Sequence, residues 1–225
     1  MKRAILIGGG YSVKEAIGQG LWDKIKSQEI WSLNFAFMKI PYLPRRELWV
    51  DISFFKNNIV ALQKLWQQGV KMYAKHNSRY VELPEITTYE ATRHTEVYKP
   101  KEALNTASTP HLFHGKQGLV GIFALSLAVA EGYTEIFLLG YDYGIKNSEQ
   151  KKTHFYQGEL DILSSGVNNP RIYLKPDGKI KDDVRDFDIF SKLEGVTIYN
   201  VSVDSNINCF QKLTYKEFFD RIERK

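Results

Sequence analysis

The apolar run at 4–7 (AILI), closing on Gly8-Gly9-Gly10, constrains the fold more than any other stretch of this chain. A short apolar segment without polar alternation reads as a strand buried on both faces, the habit of parallel sheets. Ser12 and Glu15, three apart just after the glycines, match a capping box, so the opening predicts strand, glycine turn and capped helix. Open α/β folds begin in this way, and they bind ligands beyond the carboxyl ends of their strands.

The rest of the chain repeats the theme. Helical spacing runs through Val13, Ile17, Leu21 and Ile25, interrupted by Gly18 and Gly20; the apolar runs at 30–33 and 48–50 then end in Asn34 and Asp51. A helix is predicted over 59–68, a strand over 70–74, a strongly apolar helix over 119–130 stopped by Gly132, and a strand over 135–139 closing on Gly140-Tyr141-Asp142-Tyr143-Gly144. Residues 183–193 read as a helix, 196–200 as a last strand and 215–223 as a terminal helix. The segment 77–110 has little periodicity and is expected to hold short strands or a flap, because an unstructured run of that length is unusual in a compact domain. The expectation is a Rossmann-like α/β fold: a mostly parallel sheet with helices on both faces, one domain over 1–225, with 77–115 and 145–180 as flap or lid segments.

Composition narrows the function. With 225 residues, 43% of them hydrophobic and 25% charged, the chain can bury one sizeable core. No run approaches the roughly 18–20 apolar residues of a membrane span, and Met1-Lys2-Arg3 leads straight into the first strand, so a soluble, cytoplasmic protein is expected. The single cysteine, Cys209, excludes an internal disulfide and a multi-cysteine zinc site, and reads as a small core residue. A net charge of +5 suits an anionic ligand. The basic residues are scattered, however (Lys24, Lys26, Arg45, Arg46, Lys151, Lys152), which argues against nucleic acid and for a nucleotide or sugar phosphate. Association of copies into a homo-oligomer stays open.

The glycine turn can cradle a phosphate, since glycines let backbone N–H groups approach an anion at a helix N-terminus. It is not a P-loop, because no Gly-Lys-Ser/Thr follows, and it departs from the dinucleotide fingerprint by placing Val13 at the third glycine position. Asn34 and Asp51 either contact a ligand or cap the segments that follow them. Asp142 lies just past a strand between two tyrosines, and His154 follows in Thr153-His154-Phe155-Tyr156, where it is either a general base or a solvated loop residue. His111 and His114 have no nearby third ligand and read as structural.

These residues resemble a known group: the 6-hydroxymethylpterin pyrophosphokinase-like domain shared with motility-associated flagellin glycosyltransferases and phage proteins, and more distantly bacterial lipooligosaccharide sialyltransferases. The resemblance is carried by ILIGGGYSVKEA (5–16), WSLNFAF (31–37), LWVDISFF (48–55), LAVAEGYTEIFLLGYDYG (127–144), THFYQGE (153–159) and GVTIYNVSVDSNINCF (195–210), in order along nearly the whole chain. Its most specific part is helix-Gly-Tyr-x-x-Ile-x-Leu-x-Gly-x-Asp with a downstream Thr-His and a final Asn-x-x-x-x-Ser.

The resemblance implies that Gly8, Gly9, Gly10 and Ser12 wrap the nucleotide, that Asn34 touches it, and that Asp51 lies on the same rim. It also implies a histidine base and tyrosines on the leaving phosphate, for which His154, Tyr143 and Tyr156 are the candidates. The sialyltransferase-like pattern opens its apolar helix with a small hydroxyl residue and glycine, whereas Val120-Gly121 stands here, with Lys116 and Gln117 nearby as substitute anion contacts. Three functions compete. The first is a glycosyltransferase using a nucleotide-sugar donor and a small-molecule or glycan acceptor. The second is an ATP-dependent pyrophosphokinase with magnesium on Asp51 and Asp142, and the third a non-catalytic nucleotide-binding accessory protein.

Overall fold

The computed structural model describes residues 1–75, 86–92, 111–113, 119–144, 154–156 and 184–224. Among them, β1 (Arg3–Ile7), β2 (Ile30–Leu33), β3 (Arg46–Trp49), β4 (Lys71–Lys75), β5 (Ile86–Thr92), β6 (His111–Phe113), β7 (Glu135–Leu139), β8 (Thr197–Asn200) and β9 (Gln211–Lys212) form one sheet. Its order is β6-β5-β4-β3-β2-β1-β7-β8-β9, and every neighbouring pair is parallel. The helices are α1 (Val13–Gly18), α2 (Leu21–Ile25), α3 (Ile52–Gln67), α4 (Val120–Ala130) and α5 (Tyr215–Glu223).

Alternation along each strand divides the core. Ala4 and Leu6 join Trp31, Leu48 and Leu138 on the face covered by α4, while Ile5 and Ile7 join Phe137 and Leu139 on the face covered by α1, α2 and α5. Trp49, Met72 and Ala74 meet Phe54, Phe55 and Leu62 of α3 on that second side. The unbroken apolar strands follow from this double cover, since each fully buried large aliphatic or aromatic side chain contributes about 1.5–3 kcal/mol. In α4, residues 121–129 are buried all round, which accounts for its lack of a polar face. At the amino edge of the sheet, the Arg46 guanidinium lies over the Trp31 ring and pairs with Glu131 at 2.6 Å, tying the end of α4 to β3.

The chain moves outward from β1 through β2 to β6, then returns to place β7 on the other side of β1. The loops leaving β1 and β7 therefore diverge, and this switch point is where open α/β sheets form a crevice.

Several expectations change. The capping box at Ser12 does not form: α1 has no side-chain cap, because the Ser12 hydroxyl is engaged by Asp142. The helix expected over 59–68 begins at Ile52; Phe54 and Phe55, so close to the strand Leu48-Trp49, extend an apolar run that hides the boundary. The segment Val184–Lys192 is a 3-10 helix, in which buried Phe187 and Phe190, three apart, fall on one side. β5 supplies a short strand within 77–110, whereas the two polar residues of β9 gave no apolar signal. Cys209 is only partly buried, at the margin of the core, with its thiol pushed up to about 12 by burial and by Asp188.

Candidate functional site

Three segments converge at the switch point. The glycine turn leaves β1, residues 140–144 leave β7, and residues 154–156 lie across the turn. Gly8 N–H donates to the Leu139 carbonyl and Gly10 N–H to the Gly140 carbonyl, both at 2.8 Å. A Cβ at Gly10 would stand 2.5 Å from the Gly140 oxygen and 2.6 Å from Asp142 Cγ, so glycine is required for the two loops to touch. Ser12 donates its N–H to Asp142 Oδ2 at 2.8 Å and its hydroxyl to Oδ1 at 2.6 Å. The N–H groups of Gly8, Gly10 and Ser12 are thus spent inside the protein. The turn is built for close loop packing rather than for opening all its donors to an anion.

The loop after β7 is held from the other side by the Asn-x-x-x-x-Ser motif. Asn200 Nδ2 donates to Ser205 Oγ at 2.8 Å, and Ser205 Oγ donates to the Tyr141 carbonyl at 2.6 Å, so this motif is a clamp that fixes the Asp142 loop. Burial raises the Asp142 carboxyl above its usual range, against the opposing hydrogen bonds from Ser12 and Ser202.

The segment 154–156 docks by backbone pairing: Phe155 N–H donates to the Gly9 carbonyl at 3.0 Å, and Gly10 and His154 form an antiparallel bridge. A Cβ at Gly9 would stand 2.6 Å from both His154 Cδ2 and Tyr156 Oη, so the glycine admits both side chains. The His154 ring stacks on Tyr156 at 5.1 Å, and buried Tyr156 packs on Phe35. Burial lowers His154 to about 4, which leaves its imidazole neutral at physiological pH.

Asn34 and Asp51 occupy the same carboxyl edge at the ends of β2 and β3. Asn34 has a left-handed φ of 52°, and its buried Oδ1 has no hydrogen-bond partner among the described residues. A buried amide oxygen in that state costs free energy unless a partner arrives. Asp51 stands at the N-terminus of α3 without a side-chain cap, and burial raises its carboxyl while Lys75 opposes the rise. Neither residue's side chain makes the local capping bond that is the alternative to ligand contact. Tyr143, also left-handed at φ 48°, turns to the α4 side; its hydroxyl would stand 2.6 Å from a Cβ at Gly121. Gly121 therefore makes room for Tyr143 and for Tyr141, whose hydroxyl donates to the Gly121 carbonyl at 3.3 Å. Gln117, Lys116 and Lys152 lie outside the described residues, as do His114 and most of 77–115 and 145–180.

Asp51 and Asp142, the carboxylates expected to hold magnesium, stand apart along the carboxyl edge. Asp51 follows β3 and Asp142 follows β7, with β2 and β1 between them, so strand spacing sets them roughly 14 Å apart. Both oxygens of Asp142 already accept from Ser12. Among the described residues, no group of three or more His, Cys, Asp or Glu gathers as metal ligands, and no helix is long and apolar enough to cross a membrane. Lys75, beside Asp51 at the carboxyl end of β4, went unnoticed in the sequence, although the rule that strands end in polar residues points to it. Ser202 and Tyr215 were not singled out as site residues, since nothing local in the sequence ties them to Asp142.

No family model matches the chain, and no curated protein matches it. Among solved structures, the fold is that of known glycosyltransferases. The sialyltransferase CstII from Campylobacter jejuni, solved in complex with the substrate analogue CMP-3FNeuAc, aligns over 95% of this chain and 85% of its own, with a TM-score of 0.52 at 16% identity. The MAf glycosyltransferase from Magnetospirillum magneticum AMB-1 aligns over 96% of this chain with a TM-score of 0.54, also at 16% identity; this chain spans 34% of its length. At such identities the likeness is one of fold.

Proposed function

We propose that the protein is a glycosyltransferase-like enzyme that takes a sugar from a nucleotide donor, with His154 as the base. The observation that carries this reading is the seating of His154 and Tyr156 on Gly9 at the switch point, with the imidazole kept neutral by burial. The fold shared with two glycosyltransferases, one of them bound to a CMP-sugar analogue, supports it.

In this reaction the acceptor hydroxyl gives its proton to the neutral imidazole as its oxygen bonds to the anomeric carbon. The bond from that carbon to the phosphate oxygen breaks, and the nucleotide leaves with the electron pair. The Tyr156 hydroxyl donates to the departing phosphate, and the imidazolium later returns its proton to solvent. Asn34, with its unpartnered oxygen, is suited to accept from the nucleotide.

The test is a thermal-shift screen of CMP, UDP, GDP, ATP and their sugar conjugates, with and without magnesium, followed by donor turnover in wild type and His154→Ala. Stabilisation by a nucleotide and its sugar without metal, with turnover lost in His154→Ala, is expected. Stabilisation by ATP only with magnesium would replace this reading with phosphoryl chemistry, and binding with no turnover to lose would replace it with nucleotide binding alone.

A further inference from the structure

On the opposite side of the glycine turn from His154, a cavity of about 360 Å³ opens between the start of α1, the loop after β8 and the start of α5. This lies at the lower end of the roughly 300–1,000 Å³ of small-molecule sites. Its lining includes Tyr11, the apolar residues Val201, Val203 and Leu213, and Ser202, whose side chain bonds Asp142. Of the charged side chains that line it, Lys14 is cationic, while Glu15, Asp204 and Asp142 carry carboxyl groups. Tyr215 also lines it, 5% exposed, and its hydroxyl lies by Ser12 and Asp142 without a hydrogen bond of good geometry to either.

We infer that this cavity binds a neutral saccharide. Tyr11, whose ring carries the Lys14 ammonium 5.6 Å from its centroid, stands beside apolar residues that suit the C–H face of a sugar ring, and the carboxylates of Glu15 and Asp204 suit its O–H groups. The carboxylates of Glu15 and Asp204 against the one ammonium of Lys14 oppose a phosphate or a sugar acid, while the Asp142 oxygens are already taken by Ser12. The cavity adjoins the chemistry, because Tyr11 and Ser12 line it and directly follow Gly10, which pairs with His154. A sugar held here presents its neighbour in a glycan to the turn. Saccharide binding stands on the cavity's own chemistry; its role as the acceptor site rests on the glycosyltransferase reading.

The experiment is an amide-resolved NMR titration of the full chain with lactose, maltose and chitobiose, with glucose 6-phosphate as the anionic comparison and CMP as the donor-side probe. Expected are shifts at Tyr11, Val203 and Leu213 with a neutral disaccharide, at least tenfold weaker binding or none with glucose 6-phosphate, and loss of the shifts in Val203→Trp, which fills the cavity. An otherwise unchanged Val203→Trp spectrum establishes its fold, and Glu15→Gln, with weakened binding, serves if it does not fold. No shift with any of the three disaccharides, shifts centred elsewhere, or stronger binding of glucose 6-phosphate overturns the inference. CMP shifts at Asn34 and Asp51 report separately on the donor reading: saccharide binding without CMP binding leaves the cavity assigned and removes only a CMP-sugar donor, and the reverse removes only the cavity.

Discussion

Ser12 gives both its N–H and its hydroxyl to Asp142, at 2.8 and 2.6 Å, and so joins the loop after β1 to the loop after β7 across the switch point. Hydrogen bonds to a charged group contribute about 1.5–3 kcal/mol, and removing the acceptor leaves a buried donor unpaired. Asp142→Ala is therefore expected to cost about 2–3 kcal/mol in urea unfolding. Asp142→Asn, which keeps one acceptor, should cost less. Equal losses would mean that the charge, and not the paired acceptance, holds the loops.

The glycines of the turn separate by what they touch. Gly10→Ala drives a methyl group into the Gly140 carbonyl, a backbone atom of the neighbouring loop that cannot move alone, so a loss of about 1–3 kcal/mol is expected from overpacking. The atoms nearest a Gly9→Ala methyl belong to the His154 and Tyr156 side chains. This variant should fold with a smaller loss of stability, displace both rings, and lower donor turnover at least tenfold. Circular-dichroism melts beside turnover assays on the two variants check the contrast; comparable effects on both quantities would contradict it.

What the sequence revealed here depended on locality. The parallel strands were legible because double-sided burial leaves unbroken apolar runs such as 135–139, and α4 because burial all round leaves it without a polar face. Ser12 illustrates the limit. Its spacing to Glu15 satisfies a local capping rule, but Asp142, 130 residues away, takes the hydroxyl, and no local pattern encodes that choice. The Asn200 and Ser205 pair was recognisable as a motif, yet its task as a clamp on the Tyr141 carbonyl emerges only once β7 and β8 are side by side. The crest of the site was legible as polar residues at strand ends; the cavity beyond the turn was not, because α5 meets α1 only in three dimensions.

Among the described residues, Glu47 is a buried acid with no charge partner. It is 0% exposed, Ser32 stands opposite it on β2, and neither carboxyl oxygen makes a hydrogen bond of good geometry to the described residues, so burial pushes its pKa well above the usual carboxyl range. The folded chain keeps this proton after the unfolded chain has lost it. The contribution to stability is complete below the unfolded value near 4.3 and is lost as pH rises towards the folded value, at up to about 1.4 kcal/mol per pH unit. Glu47→Gln should remove that slope and stabilise the protein at neutral pH. An unchanged slope of unfolding free energy against pH would show that Glu47 is ionised and solvated in the folded state.

His154 works in the opposite direction. Burial lowers it to about 4 from an ordinary 6.5, so the folded chain releases this proton where the unfolded chain still binds it. Its contribution to stability is complete above 6.5 and is lost as pH falls towards 4. The same shift sets the activity profile, because kcat/KM reports the base in the free enzyme. The acid limb of donor transfer should lie near pH 4, leaving the rate flat across the range where an exposed histidine would titrate. Measuring kcat/KM from pH 4 to 8 together with the His154 ring-proton titration separates the two steps of this argument. A limb near 6.5 with a matching ring titration would place His154 in solvent in the working enzyme, and a ring titration near 4 beside a limb at 6.5 would assign the base to another group.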